Sequence, residues 1–247
     1  MSQRDQAEIR RTGEHYDRIA GQYDDQVDGI PLNRAMREAF RQRVAVLVQP
    51  GGTILDFGCG TGIDAAWYAA RGYRVIAYDI SPAMVDVLRA RCEDDIAQGH
   101  IVPVVGELSA LDDTLQRHGD VDGISANFAV LNHFRDLEPL FDRLGLRTRP
   151  GAPLVASLLS PFYQANLRRP GWWRVIAQSL VTGRITLPGM VTTYRHYAWK
   201  VRRMARRWFD LAEVARVDGA GRWTTASSRW RDATRQEFFV VVLRRHR

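Results

Sequence analysis

Residues 53–79 read TILDFGCGTGIDAAWYAARGYRVIAYD: an apolar strand, a glycine turn, a helical stretch stopped by Gly72, and a second apolar strand. Two strands joined through a helix form a βαβ unit, which makes the strands parallel and lays the helix on one face of the sheet. The alternation continues. Ser81-Pro82 opens a helix to about Ile96, because serine accepts N-terminal amide bonds and proline suits the first helical position. HIVPVVGE reads as a third strand, DVDGISANF as a fourth, LEPLFDRLGLRTRPG as a helix and APLVASLL as a fifth strand. Before this block, PLNRAMREAFRQRVAVLV at 31–48 predicts a helix, with Ala35, Ala39 and Val46 at helical spacing and a Pro-Gly-Gly stop. After it the pattern breaks over 161–207, then resumes with FDLAEVARV and EFFVVVLRR as an antiparallel pair.

Composition removes several classes. With 247 residues, 45% of them hydrophobic and 26% charged, the chain can bury a sizeable core. No stretch has the roughly 18 consecutive apolar residues of a membrane span, and MSQRDQAEIRRTGEHYDR lacks the apolar centre of a signal peptide, so a cytoplasmic protein is expected. Cys59 and Cys92 form neither a disulfide framework nor a metal spacing, and no metal is expected. The net charge of +7 suggests nucleic acid at first sight, but its basic residues are arginines apart from Lys200, a bias that genome composition also produces.

The glycine turn is more specific. In a doubly wound sheet, ligands sit at the carboxyl ends of the strands, beside the first strand-to-helix turn. The spacing is Gly58-x-Gly60-x-Gly62, and the place of a dinucleotide fingerprint's third glycine is held by Ile63. Asp56 precedes the turn and Asp64 follows it, so a pyrophosphate would meet two carboxylates while a cation would be welcome. Asp79 ends the second strand, where an acid can accept from ribose hydroxyls. An adenosine ligand with a positive centre is the expectation.

These residues resemble the class I S-adenosylmethionine-dependent methyltransferases, of the small-molecule type. ILDFGCGTG looks like their first motif, YDISPAMV their acidic loop, VVGELSAL their third-strand segment and ISANFAVLNHF their fourth-strand motif, in order over about residues 14–160. The resemblance implies one methyltransferase domain over 1–247. Its fold would be a doubly wound, mostly parallel seven-stranded α/β sheet, Rossmann-like, with an antiparallel last strand and a cap insertion. N-terminal helices over 1–50 would form a lid, 51–160 the cofactor core, 161–207 a substrate cap and 208–247 the final strands. S-adenosyl-L-methionine would be the cofactor. By the resemblance, Asp56, Gly58, Cys59 and Gly60 would surround its methionine part and Asp79 its ribose, with Ile80 and Met84 on the adenine faces. Glu107 and the backbone of Leu108 would read the adenine edge, Asn127 and Phe128 would line the passage to substrate, and Tyr16 and Tyr23 would close over the cofactor.

The reaction needs an aimed nucleophile and excluded water, and a base only when the acceptor arrives as a hydroxyl. His133, just past the fourth strand, is the expected base. Tyr194, His196 and Trp172 are expected at the acceptor. The fourth-strand segment reads Asn127-Phe128-Ala129-Val130, unlike the Asn/Asp-Pro-Pro-aromatic pattern of enzymes that methylate extruded bases, so O- or N-methylation of a small molecule is favoured. The alternatives are an RNA or other nucleic-acid methyltransferase and a non-catalytic S-adenosylmethionine-binding protein. The acceptor's identity and the oligomeric state stay open.

Overall fold

The first five strands all run the same way because each returns through a helix. In the computed structural model, which describes residues 3–160, 184–185, 191–218, 220–225 and 238–247, they are β1 (Thr53–Phe57), β2 (Arg74–Asp79), β3 (Ile101–Val105), β4 (Gly123–Ala126) and β5 (Pro153–Leu159). The helices between them are α4 (Ile63–Ala69), α5 (Pro82–Arg91) with the short α6 (Glu93–Ala97), α7 (Leu108–His118) and α8 (Glu138–Leu146). The predicted helix to Ile96 is divided at Cys92, whose φ of −114° and ψ of 27° leave the helical region.

Eight strands form one sheet in the order β3-β2-β1-β4-β5-β10-β8-β9, adding β8 (Phe209–Val217), β9 (Trp223–Thr225) and β10 (Phe238–Arg245). The last strand is antiparallel to both neighbours, β5 and β8, as expected. The expected seven strands become eight because β9, three residues long, pairs on the outer edge of β8. A separate two-stranded pair joins β6 (Arg184–Ile185) to β7 (Thr193–Tyr194), and α9 (Ala198–Ala205) follows. Most of the expected cap, including Trp172, lies outside the described residues. Among the described residues no helix is long and apolar enough to cross a membrane.

The sheet carries a core on each face, and strand alternation decides which residue serves which. Leu55 and Phe57 of β1 join Leu111, Phe141 and Val201 on one side. Ile54 faces the other side with Phe40, Tyr68 and Leu88, so Asp56, two residues on, points to that side as well.

Three N-terminal helices, α1 (Gln3–Ile19), α2 (Tyr23–Asp28) and α3 (Pro31–Leu47), run ahead of the sheet. The buried face of α3 is Met36, Arg37, Phe40 and Val44, while Val46 is 75% exposed. The predicted stripe through Val46 was therefore out of phase; packing chose the larger Phe40 and Met36 over the alanines, since burial scales with apolar area. α1 is tied to α5: Asp17 accepts from the Ser81 hydroxyl (2.6 Å) and the Ala83 amide (3.1 Å). Asp24 of α2 takes the Thr61 hydroxyl and pairs with Arg91. The helices thus roof the carboxyl ends of β1 and β2.

Candidate active site

Beneath this roof lies a cavity lined by the glycine turn, Asp56, Asp64, Tyr16, Tyr23 and His133. The glycine turn forms its floor. Gly58, Gly60 and Gly62 have φ of 77°, 53° and 82°, the left-handed region that disfavours other residues. Any side chain at Gly58 would collide with Val130, and one at Gly62 would approach Leu88 at 2.6 Å. At Gly60 the nearest neighbour of such an atom would be Tyr23 at 3.9 Å, so bare backbone faces open cavity there.

Four of the turn's amides are already committed. Gly58 and Cys59 both donate to the Tyr78 carbonyl (2.8 and 2.9 Å), Gly60 to the Asp79 carboxylate (2.9 Å) and Gly62 to the Cys59 carbonyl (3.0 Å). A phosphate would find no free donor among these four. Cys59 lines the cavity with its thiol pushed up by burial, away from the thiolate.

Two carboxylates do the opposite. Asp56 is 2% exposed, and its Oδ2 has no hydrogen-bond partner among the described residues. Its carboxyl is raised well above the usual range, first by burial and next by the nearby Asp64, with a Ser125 hydrogen bond acting against this. Asp64, in the first turn of α4, accepts from Asn127 Nδ2 (3.0 Å) and Arg37 (3.2 Å) at Oδ2, while its buried Oδ1 is unpartnered. Unpaired buried carboxylate oxygens are costly unless a donor arrives. Arg37, held by Asp28 and Asp64 and lying 4.5 Å over the Phe128 ring, is the one arginine lining this cavity among the described residues. The set of two unsatisfied carboxylates beside one guanidinium fits a ligand with cationic centres and a carboxylate, such as the methionine part of S-adenosylmethionine.

The remaining predicted residues divide. Asp79 holds the turn, accepting from Gly60 at Oδ2 and from Ser81 at Oδ1 (2.9 Å each), and burial raises its carboxyl. Ile80 and Met84 line the cavity with it, as do Tyr16 and Tyr23, whose rings meet edge to face with centroids 6.0 Å apart. Burial lifts the Tyr23 hydroxyl to about 12 and that of Tyr16 further, so both stay protonated. Phe128, at φ 49°, and Ala129, at φ 61°, hold left-handed backbone directly after β4, a strain that needs local support. Asn127 supplies it: its Oδ1 accepts from the Phe128 amide (2.9 Å) and from Ser157 (3.0 Å).

His133 ends the short 3-10 turn Val130–His133 and lines the cavity beside Tyr16, with ring centroids 5.7 Å apart. Its Nε2 lies 3.3 Å from the Tyr16 hydroxyl, and burial lowers its pKa to about 4. The ring is therefore neutral at neutral pH, with one nitrogen lone pair available.

Other predicted residues sit elsewhere. Glu107 pairs with Arg10 of α1 (3.2 Å) and is exposed; with Leu108 it lines a separate groove that shares only Ile9 and Ile80 with the cavity. Tyr194 bonds Glu8 through its hydroxyl and receives Asn132 Nδ2 on its carbonyl (2.7 Å). His196 is fully buried, with Nε2 2.9 Å from the Phe134 carbonyl. Both pin the 191–197 segment onto the 131–134 turn and neither lines the cavity. Arg37, Ile9, Thr12 and Phe134 line it without having been singled out in the sequence. Arg37 had a signal: it falls on the apolar stripe with Phe40 and Val44, where an unpaired charge would be out of place.

Comparison with known proteins identifies the family. The family model described as "Methyltransferase domain" matches residues 32–214. The magnesium-protoporphyrin O-methyltransferase of Rhodobacter capsulatus is 29% identical over 68% of this chain and 76% of its own length. The demethylmenaquinone methyltransferase of Thermobifida fusca is 28% identical over 93% of this chain and 91% of its own. Other alignments span about half of the relative's length. The solved structure of the CcbJ methyltransferase from Streptomyces caelestis shares the fold, with a TM-score of 0.58, 19% identity and coverage of 86% of this chain and 90% of that one. With most of its length inside the family model and a cavity built for a cation, the chain belongs to the methyltransferase domain family and is an S-adenosylmethionine-dependent methyltransferase.

Proposed function

We propose that the chain methylates a small-molecule acceptor at oxygen or nitrogen inside the roofed cavity. One observation carries this reading: two buried carboxylate oxygens, Asp56 Oδ2 and Asp64 Oδ1, stand unpartnered in a cavity covered by the N-terminal helices. A covered site suits an acceptor that enters whole, and the relatives named above are an O-methyltransferase of magnesium-protoporphyrin and a methyltransferase of demethylmenaquinone.

Each side chain then has a task. Asp56 and Asp64 accept from the ammonium of the cofactor's methionine part, and Arg37 meets its carboxylate. Asp79 keeps lone pairs for the ribose hydroxyls after its two backbone bonds, since a carboxylate offers about four acceptor sites. Ile80 and Met84 supply apolar contact to the adenine. The bound sulfonium supplies an activated methyl group. Tyr16 and Tyr23, carried on the roof, exclude water from the transfer. His133 deprotonates a hydroxyl acceptor at Nδ1, in the tautomer whose Nε2–H donates to the Tyr16 oxygen and so fixes the ring.

The test incubates the protein with methyl-tritiated S-adenosylmethionine and a panel of phenols, quinols, amines and carboxylic acids, beside transfer RNA and duplex DNA. Label is expected in the small-molecule fraction with S-adenosylhomocysteine as co-product. Label confined to nucleic acid would overturn the reading, as would tight cofactor binding with no acceptor in a broad panel.

A further inference from the structure

Arg10, Arg37, Arg41, Arg43, Arg89, Arg91, Arg143, Arg149, Arg207 and Arg222 each reach a carboxylate within 4.0 Å. Other described cations do not, and four of these stand together. Arg135, Lys200, Arg203 and Arg206 make no ion pair among the described residues, and all four line one groove between α9, the start of α8 and the beginning of α1. Three acids share it, Asp5, Asp136 and Glu138. Two of these are balanced by a helix: Asp136 accepts the Glu138 amide (3.0 Å), and Glu138 lies in the first turn of α8, where the helix favours negative charge. Four cations against three acids leave the groove lining with a net positive charge.

A small cleft lies between this groove and the active-site cavity, bordered by Asp5, Arg135 and Asp136 of the groove and by Ile9, His133 and Phe134 of the cavity. A molecule lying along this path would have one end beside His133 and the other among the four cations.

We propose that this groove is the outer half of the acceptor site and binds a carboxylate or phosphate group on the methyl acceptor, whose reactive end passes Phe134 and Ile9 to reach His133. The inference rests on the small-molecule reading above and specifies its substrate class: an elongated acceptor, anionic at the end remote from the methylated atom. Arginines recognise either anion through paired N–H donors, while Lys200 adds a point charge. The rim also draws such an acceptor from solution, an attraction that salt screens.

The test measures binding of three probes to the wild type loaded with S-adenosylhomocysteine, by titration calorimetry: 4-hydroxybenzoate, phenyl phosphate and the neutral 4-hydroxybenzamide. The anionic probes are expected to bind at least about fivefold more tightly than the amide, and the better of the two tells carboxylate from phosphate. In the double variant Arg135→Gln, Arg203→Gln, and separately in Lys200→Gln, this preference is expected to fall towards one while S-adenosylhomocysteine affinity stays unchanged. Arg222→Gln, at a distant ion pair, is the control and should keep the preference. Equal binding of charged and neutral probes by the wild type, or a preference that survives the rim variants, would overturn the proposal. So would displacement of the anionic probes by a structured RNA hairpin bound more tightly than any of them, which would make the rim a nucleic-acid surface. Failure of the wild type to bind S-adenosylhomocysteine would instead remove the cofactor reading, and the probes titrated without it would still report on the rim.

Discussion

Asp56 sits where an anion is least at ease, fully buried on β1 with a second carboxylate beside it and one oxygen unpartnered. Burial first, and Asp64 second, raise its carboxyl well above the ordinary value. A cationic ligand binds the ionised form, so binding expels whatever proton the site holds and affinity for S-adenosylmethionine should rise with pH. The sign follows from the raised value: the carboxyl is more protonated in the free protein than in the complex. Titration calorimetry from about pH 5.5 to 7.5 should show this slope, and Asp56→Asn should flatten it. His133 shows the opposite case, lowered to about 4, and is neutral across that range. His133→Ala should reduce turnover of a hydroxyl acceptor by about tenfold or more, with cofactor affinity unchanged. In the wild type, turnover should show no His133 step between about pH 6 and 8; a step near the ordinary histidine value would contradict its buried setting. At this scale the sequence was informative wherever a residue's task depends on its neighbours in the chain. The glycine turn, Asp56, Asp64 and Asp79 fall in that group. Arg37 was harder to find, because Arg34, Arg37, Arg41 and Arg43 are alike in sequence and only the packing phase of α3 turns one of them inward.

At the scale of elements, the strand-turn-helix and the roof have separate demands. The turn tolerates no side chain at Gly58: the left-handed φ and the collision with Val130 together should make Gly58→Ala cost about 2–4 kcal/mol, read from urea unfolding. The roof is held by single polar ties between helices, chiefly Asp17 on the first turn of α5. Asp17→Ala should speed hydrogen exchange along α1 and weaken S-adenosylhomocysteine binding several-fold, while exchange in the sheet stays slow. Unchanged exchange in α1 would show that the apolar contacts of α1 hold the roof unaided. The elements themselves were legible because strands with apolar runs and capped helices alternate. Long-range docking was not. Nothing local says that Glu107 meets Arg10 across 97 residues and leaves the cavity, or that Tyr194 and His196 anchor a turn. The two-faced stripe of α3 was misread for a related reason, since alanines and valines at helical spacing compete with larger residues that only the sheet selects.

For the whole molecule, the parallel half of the sheet followed from the βαβ rhythm, and the antiparallel last strand from the break in it. The added edge strand β9, three residues long, is too short to leave a periodic signal. Two buried histidines shape the global response to acid. His133 and His196 are both lowered to about 4 by burial, so the unfolded chain takes up protons before the folded one. Their contribution to stability is intact above the unfolded value of about 6.5 and is lost as pH falls towards 4. The urea midpoint should drop through that window, less steeply in His196→Gln. The cavity's charge is the point on which the functional reading turns, and calorimetric titration tests it directly. Wild-type protein should bind one S-adenosylmethionine and no NAD, and Asp56→Asn should weaken S-adenosylmethionine by about tenfold or more. Tight NAD binding, or an Asp56→Asn variant with unaltered S-adenosylmethionine affinity, would contradict a cation site at the glycine turn.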